Sequence, residues 1–262
     1  MSILDKSSRI VVKIGSNTLT HATGNLDLRR MELLVRILSD FKNAGHEVVL
    51  VSSGAVAAGI SRLNLGRRPD STEEKQALAA IGQAELMQVY EQFFATYGHT
   101  VGQMLMTKDI IDNDVRRTNA KNTFRELLKL GCVPIVNEND PISVEELKFG
   151  GNDTLSAYVA LVCGADLLIN MSDIDGLYDC DPRKNPEAKL ISRVDVIDET
   201  VISYAGGAGT DRGTGGMITK IKAAQLVTEA GIPMLIVNGK NPEVLYDISD
   251  GKHVGTYFAA RK

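Results

Sequence analysis

The stretch I-V-V-K-I-G-S, Ile10 to Ser16, is a short run of β-branched residues that stops at a glycine and a serine. Branched side chains are stiff about χ1 and favour a strand, whereas Gly15 and Ser16 suit a turn or a helix start. Ile10, Val11, Val12 and Ile14 are apolar on both faces of such a strand, which fits a sheet covered on both sides and therefore largely parallel. Lys13 breaks the run. Burying an unpaired ammonium is costly, so Lys13 either snorkels from an edge strand or is held at a strand end where an anion binds.

Similar runs recur at Glu47 to Val51, Thr100 to Met106, Val133 to Val136, Asp166 to Asn170 and Pro233 to Val237, and all read as buried strands. Helical patterns lie between them. In Asp27 to Ala44 the residues Met31, Leu34, Val35, Leu38 and Phe41 recur on one helix face, and Gly45 stops the helix. Further helices are expected over Thr72 to Tyr97, Arg116 to Lys129, Asp153 to Cys163 and Gly216 to Ala230. Alternation of this kind implies right-handed β-α-β crossovers and an α/β three-layer sandwich with a mainly parallel central sheet. Ligands then collect at the carboxyl ends of the strands. Tyr178 to Lys189, with two prolines and six charged residues, reads as an exposed connection and a seam between two lobes of one domain.

Composition narrows the function classes. With 44% hydrophobic and 24% charged residues among 262, the chain can bury a substantial core and is neither disordered nor fibrous. The 33 acidic residues against 29 basic ones give a net charge of -4, which offers no overall field to nucleic acid or an anionic membrane. Any anion is bound locally. Cys132, Cys163 and Cys180 form no C-x-x-C pair and no metal-ligand spacing with the four histidines, so reduced structural thiols are expected. The charges within Met1 to Arg9 do not suit a signal peptide, and no run approaches the roughly 20 apolar residues of a membrane span, so a cytoplasmic location is expected.

Five further segments carry chemistry. Val48 to Gly59 is a strand ending in Ser52, Ser53 and Gly54, followed by a small-residue helix from Ala55; its free amides suit a carboxylate or phosphate, and serine N-capping is the plainer alternative. Val51 stands where a hydrolase elbow needs glycine. Pro134 to Val136 runs into Asn137, Glu138, Asn139, Asp140 and Pro141, which is an ordinary turn or a site for an ammonium group. Phe149 to Thr154 brings two glycines, Asn152 and Asp153 to a helix start, where capping needs only one of the two polar residues. Asn170 to Asp181 is acidic, but Ile174, Leu177 and the missing terminal glutamate exclude a calcium loop; a nucleotide-facing loop including Tyr178 fits better. Between Gly206 and Gly216 there are six glycines, after which Met217, Ile218, Thr219 and Lys220 open a helix. Glycine-rich backbone leading into a helix N-terminus is a common phosphate cradle. Lys220 and Lys222 crowd the first turns, where the dipole disfavours cations by ~1 kcal/mol or less each unless an anion binds.

Taken in order, V-K-I-G-S (Val12 to Ser16), V-S-S-G-A-V-A-A-G (Val51 to Gly59), P-I-V-N-E-N-D (Pro134 to Asp140), S-D-I-D-G-L-Y (Ser172 to Tyr178) and G-T-G-G-M-I-T-K (Gly213 to Lys220) resemble the amino acid kinase family. Within it they are similar to the branch that phosphorylates the side-chain carboxylate of free glutamate. The resemblance implies that Lys13 and Lys220 contact the phosphates of ATP and that Asp153 organises the two lysines, making these three the catalytic set. It further implies that Ser172, Asp173, Thr214, Gly215, Gly216, Met217, Ile218, Thr219 and Lys220 form the nucleotide site, and that Ser53, Gly54, Asp140 and Asn152 hold glutamate. It implies ATP with Mg2+, no dedicated protein metal site, inhibition by proline, and a homo-oligomer, either dimer or tetramer. The lobe before about residue 170 would take the amino acid and the lobe after it the nucleotide. Two departures follow from the same comparison. The family's F-G-D-N-D stands here as F-G-G-N-D, so no role of the usual aspartate is carried over to Gly151. The chain resembles the form that lacks the additional C-terminal domain of many members. Related kinases of other acids or of UMP, a non-catalytic nucleotide sensor, and a hydrolase using Ser53 are the competing readings, the last without a histidine in a telling context.

Overall fold

The apolar runs become strands β1 (Arg9–Ile14), β2 (Glu47–Ser52), β3 (Val101–Met106), β4 (Val133–Glu138), β5 (Leu167–Ser172), β6 (Arg193–Val194), β7 (Met234–Asn238) and β8 (Thr256–Phe258). The structure is a computed structural model that describes residues 3–6, 8–21, 23–143, 152–206 and 216–261. The strands join in one sheet of order β3-β4-β2-β1-β5-β7-β8-β6. Each of the six longer strands lies parallel to its neighbours among them. Only β8 departs, pairing antiparallel with β7 and parallel with the two-residue β6. The six expected strands thus form with small shifts at their ends, whereas β6 and β8 are too short to show a period. One expectation fails in part: β3 is an edge strand, and Gln103 and Leu105 are exposed rather than buried.

The described helices, in chain order, are α1 (Ser16–Leu19), α2 (Leu28–Asn43), α3 (Ala55–Arg62), α4 (Thr72–Thr96), α5 (Asp114–Lys129), α6 (Asp153–Cys163), α7 (Glu199–Gly206), α8 (Met217–Glu229) and α9 (Val244–Ser249). Caps set several starts: Asp27, Ser71 and Asn113 accept from the amides of Arg30, Glu74 and Arg116. As the spacing predicts, α2 buries Met31, Leu34, Val35, Leu38 and Phe41. Each such side chain contributes ~1.5–3 kcal/mol when fully removed from water.

Period-two alternation sorts the sheet into two cores. Ile10, Val12 and Ile14 of β1, with Leu167, Ile169 and Met171 of β5, pack against α2, α4 and α9. Val11 and Leu168 face the other way, against α5, α6 and α8. Lys13 and Asn170 share the parity of Val11 and Leu168, so both side chains are sent toward the α6 and α8 layer. Because β1 lies between β2 and β5, Lys13 is not on an edge strand, and snorkelling from an edge is excluded.

A second device positions the carboxyl edge of β2. Helices α3 and α4 cross where neither helix has a side chain: a methyl built at Gly59 would collide with the Leu78 carbonyl, and one at Gly82 with the Ala55 carbonyl. The backbones therefore touch, and the start of α3 is pinned beside the end of β2. The connection from Tyr178 to Lys189 is tied down by an isolated bridge between Tyr178 and Leu190.

Candidate active site

The carboxyl ends of the central strands carry two adjoining polar clusters. The first surrounds Asp153, in the first turn of α6, where a carboxylate is favoured by the helix dipole. Lys13 Nζ donates to Asp153 Oδ1 at 2.7 Å, and Asn170 Nδ2 donates to the same oxygen at 2.8 Å. Lys220 Nζ donates to Oδ2 at 3.0 Å, and Thr219 Oγ1 lies 2.7 Å from Oδ2 and 2.8 Å from the Gly216 carbonyl. Asp153 is only 1% exposed, and Lys13 and Lys220 are 4% and 6% exposed. Burial alone would raise the Asp153 carboxyl; the two ammonium groups and the hydrogen bonds from Lys13 and Asn170 outweigh it and hold the group well below the usual carboxylate range. Burial lowers the Lys220 pKa, opposed by the Asp153 charge and assisted by Lys13. One carboxylate thus serves two ammonium groups, so these three side chains together carry one formal positive charge, and the charge of exposed Asp173 also acts on Lys220. The penalty foreseen for Lys220 in the first turn of α8 is offset by Asp153, and Lys222 is simply exposed.

The second cluster lies under a cavity of about 910 Å³ lined by Ser16, Ser53, Gly54, Asn137, Asp140 and Arg68, among others. Serine capping of α3 does not occur: its N-cap is Gly54, at φ 110°, with no side-chain cap. That left-handed conformation suits glycine, and the first amides of the helix are left without a side-chain cap at the cavity. Ser52 Oγ instead lies 2.8 Å from Tyr90 Oη, and Ser53 Oγ accepts from Asn152 Nδ2 at 3.0 Å. Asn152 does not cap α6 with its side chain either. Its amide also donates to the Ser52 carbonyl at 3.1 Å and to Asn137 Oδ1 at 2.8 Å, while Asn137 Nδ2 donates to Gln83 Oε1 at 2.8 Å. Asn152 Oδ1 and Asp140 Oδ1 are buried and have no hydrogen-bond partner among the described residues. Burial, and then the charge of Glu138, push the Asp140 carboxyl up to about 7. The segment after β4 forms a turn, in which the Ile142 amide donates to the Asn139 carbonyl at 3.0 Å; Asp140 in that turn and Asn137 in β4 line the cavity.

The expected residues divide accordingly. Lys13, Asp153, Thr219 and Lys220 come together; Gly216 is the N-cap of α8, and Met217 packs in the core beneath it with Ile218 half-buried alongside. Ser172 ends β5, buried, with its hydroxyl 3.3 Å from Asp173 Oδ1, and Asp173 is exposed beside it. Tyr178 donates to Asp175 Oδ2 at 3.0 Å, and Asn238 holds Asp175 Oδ1 at 2.7 Å. Ser53, Gly54 and Asp140 line the cavity, and Asn152 braces its floor. Thr214, Gly215 and Gly151 lie outside the described residues. Sequence reasoning placed Asn137 and Asn170 in segments of interest without finding these partners, and it missed Gln83 outright, because their roles depend on strand register and helix crossing. All three cysteines are free, and burial pushes the Cys163 thiol up to about 12, as an inert structural thiol requires. No described helix is long and apolar enough to cross a membrane.

A model of the amino acid kinase family matches residues 8–238. The glutamate 5-kinase of Clostridium tetani (strain Massachusetts / E88) is 57% identical over 253 residues, which is 97% of this chain and 95% of that protein. The glutamate 5-kinase of Clostridium perfringens (strain 13 / Type A) is 50% identical, covering 99% of this chain and 98% of the relative. Among solved structures, UMP kinase from Bacillus anthracis superposes with a TM-score of 0.67 at 18% identity, over 98% of this chain and 97% of its own; this likeness establishes the fold alone.

Proposed function

The chain belongs to the amino acid kinase family, and from that premise we propose that it transfers the γ-phosphoryl group of ATP to the side-chain carboxylate of L-glutamate, giving glutamyl 5-phosphate and ADP. This is the reaction named for relatives that share about half or more of its residues along nearly the full length, and it is the first step of proline biosynthesis. The observation that carries the reading is the buried pair of lysines shared by Asp153, set next to a cavity with unpartnered acceptors.

The chemistry follows from charge. The attacking carboxylate has a pKa of about 4.3 and is ionised at neutral pH, so no general base is required. Asp153, whose oxygens already engage Lys13, Asn170, Thr219 and Lys220, is a positioning residue and not a base. The obstacle is repulsion between acceptor and triphosphate, about 4 kcal/mol for each like pair at 4 Å and an effective dielectric of 20. Every ~1.4 kcal/mol recovered is tenfold in rate. Lys13 and Lys220 supply fixed positive charge where the phosphoryl group transfers, with Gly216 to Lys220 and the segment before them as the nucleotide cradle. A bare Gly15, whose added methyl would stand 3.6 Å from Lys13 Nζ, leaves room beside that ammonium. Ser53, Gly54, Asp140 and Asn152 hold glutamate: Asp140 takes the ammonium group, while Asn152 fixes Ser53 beside the free amides at the start of α3. Ser172 and Asp173 face the nucleotide from the end of β5.

Among the described residues no group of three His, Cys, Asp or Glu side chains could hold a metal ion. Magnesium belongs to the reading as part of the MgATP substrate, carried on phosphate oxygens as that ion prefers. The lobe before about residue 170 serves the amino acid and the lobe after it the nucleotide, within one sheet. The reaction is placed in the cytoplasm, where ATP is made and spent.

The test is a glutamate-dependent ATP turnover assay with hydroxylamine trapping of the acyl phosphate, run in parallel with aspartate and acetylglutamate. Hydroxamate from glutamate well above the other two is expected. A preference for either alternative acceptor would transfer the chain to a different branch of the family, and ATP binding with no hydroxamate from any acid would make it a sensor.

A further inference from the structure

Leu167, Leu168, Ile169 and Met171 of β5 are fully buried apolar side chains, and Asn170 among them is equally buried. An amide in such a layer is unfavourable unless both its ends are hydrogen-bonded, and leucine would fill the strand without that cost. Only one end of Asn170 is satisfied: Nδ2 donates to Asp153 Oδ1 at 2.8 Å, while Oδ1 has no hydrogen-bond partner among the described residues. Packing alone does not account for it.

The register does. Asn170 is the parallel partner of Lys13 across β1 and β5, and alternation sends both side chains to the same layer. Lys13 and Asn170 therefore share Oδ1 of Asp153, as Thr219 and Lys220 share Oδ2. An ammonium has three donors and no preferred plane, and a carboxylate oxygen has two lone-pair directions, so with both directions at Oδ1 open Lys13 could turn more than one N–H toward that oxygen or swing between the two. Thr219 and Lys220 already fill Oδ2, and a neutral donor on Oδ1 leaves Lys13 a single direction there without changing the charge of the cluster.

We propose that Asn170 is a positioning residue for phosphoryl transfer: it fixes the plane of the Asp153 carboxylate so that Lys13 meets Oδ1 through one N–H and keeps its remaining donors for the transferring phosphoryl group. The inference rests on the kinase reading above and adds a residue that none of the matched motifs assigns to the site. It also explains why an asparagine, and not a charged residue, stands there. Lysine would add a third cation, and aspartate would cancel the formal positive charge that an anionic substrate needs.

Two variants separate this role from packing. Asn170→Leu removes the donor while keeping the number and branching of side-chain heavy atoms; Asn170→Asp keeps the shape and adds a carboxylate. For Asn170→Leu the expected result is a melting temperature at or above that of the wild type, KM values for ATP and acceptor within about threefold, and kcat lowered about tenfold or more. For Asn170→Asp, calorimetric ATP affinity measured without acceptor should fall about tenfold or more, because the net charge of the cluster is gone. A kcat within about twofold of wild type for Asn170→Leu overturns the proposal. So does a joint loss of melting temperature, both KM values and kcat, which would make Asn170 a packing residue. The comparison uses whichever acid the wild type phosphorylates, so a wild type inactive on glutamate would overturn the substrate assignment and leave the Asn170 ratio to decide this inference alone.

Discussion

Asn152 and Asp153 are neighbours in the chain, yet they serve two clusters built in opposite ways. Around Asp153 both carboxylate oxygens are occupied, two of the four partners are charged, every member but the half-buried Thr219 is buried, and Asn170 Oδ1 alone lacks a partner among the described residues. Around Asn152 the partners are neutral amides and hydroxyls, and Asn152 Oδ1 and Asp140 Oδ1 stay without a partner among the described residues. On the proposed function, the contrast is a division of labour: positive charge is locked in place before any ligand arrives, whereas recognition of the acceptor is left with open valences. Preorganised charge favours turnover, and open valences favour selectivity, because a ligand that lacks the matching group leaves buried polar atoms unsatisfied.

If that division holds, substitutions in the two clusters will damage different kinetic constants. The largest effect is expected from Lys220→Ala, which leaves Asp153 paired one-to-one with Lys13 and should lower kcat at least about 100-fold with the fold intact by circular dichroism. Asp153→Asn should likewise reduce kcat far more than glutamate affinity; a loss confined to affinity would move Asp153 into the other cluster and break the contrast. Next comes pH. Asp140 must be ionised to take an ammonium group, and its pKa lies at about 7, so KM for glutamate should fall about tenfold from pH 6 to pH 8. Asp140→Asn should abolish that slope, and a slope that persists would assign it to some other group. The linked stability effect has a definite sign. A carboxyl whose folded pKa is raised binds its proton more tightly when folded, so stability should decline as pH rises from the unfolded value toward about 7. The smallest effect is expected from Gly82→Ala, whose methyl meets the Ala55 carbonyl and must push α3 aside. Overpacking of this kind costs ~1–3 kcal/mol, read as a lower melting temperature. It should raise KM for glutamate several-fold while leaving KM for ATP near wild type, sharpening the separation of the two clusters.

How much of this was legible beforehand depends on distance along the chain. Lys13 announced itself, because a lysine inside I-V-V-K-I conflicts with its surroundings, and such conflicts mark functional positions. The strands of the central sheet and the face of α2 followed from periodicity. The choice between Asn152 and Asp153 could not be settled locally, since either residue can cap a helix; the structure shows that neither side chain does. The roles of Asn170 and Gln83 were invisible for a physical reason. Asn170 matters because it sits opposite Lys13 in a parallel register, and Gln83 because a glycine crossing brings α4 to the end of β4. The two short strands at one end of the sheet were lost as well: β6 has two residues and β8 three, fewer than one period-two pattern needs.

The central place of β1 has a consequence for how the protein is made. Its first strand pairs with β2 early in synthesis, but its other flank waits for β5, so that Ile10 meets Leu167 and Lys13 meets Asn170 only after most of the polypeptide has left the ribosome. Long-range pairings of this sort are slow, and a nascent chain with an open apolar strand is prone to misassociate. Assembly of the site and closure of the sheet are then the same late event, and a folding intermediate that lacks β5 would carry Lys13 as an unneutralised cation on an unfinished edge.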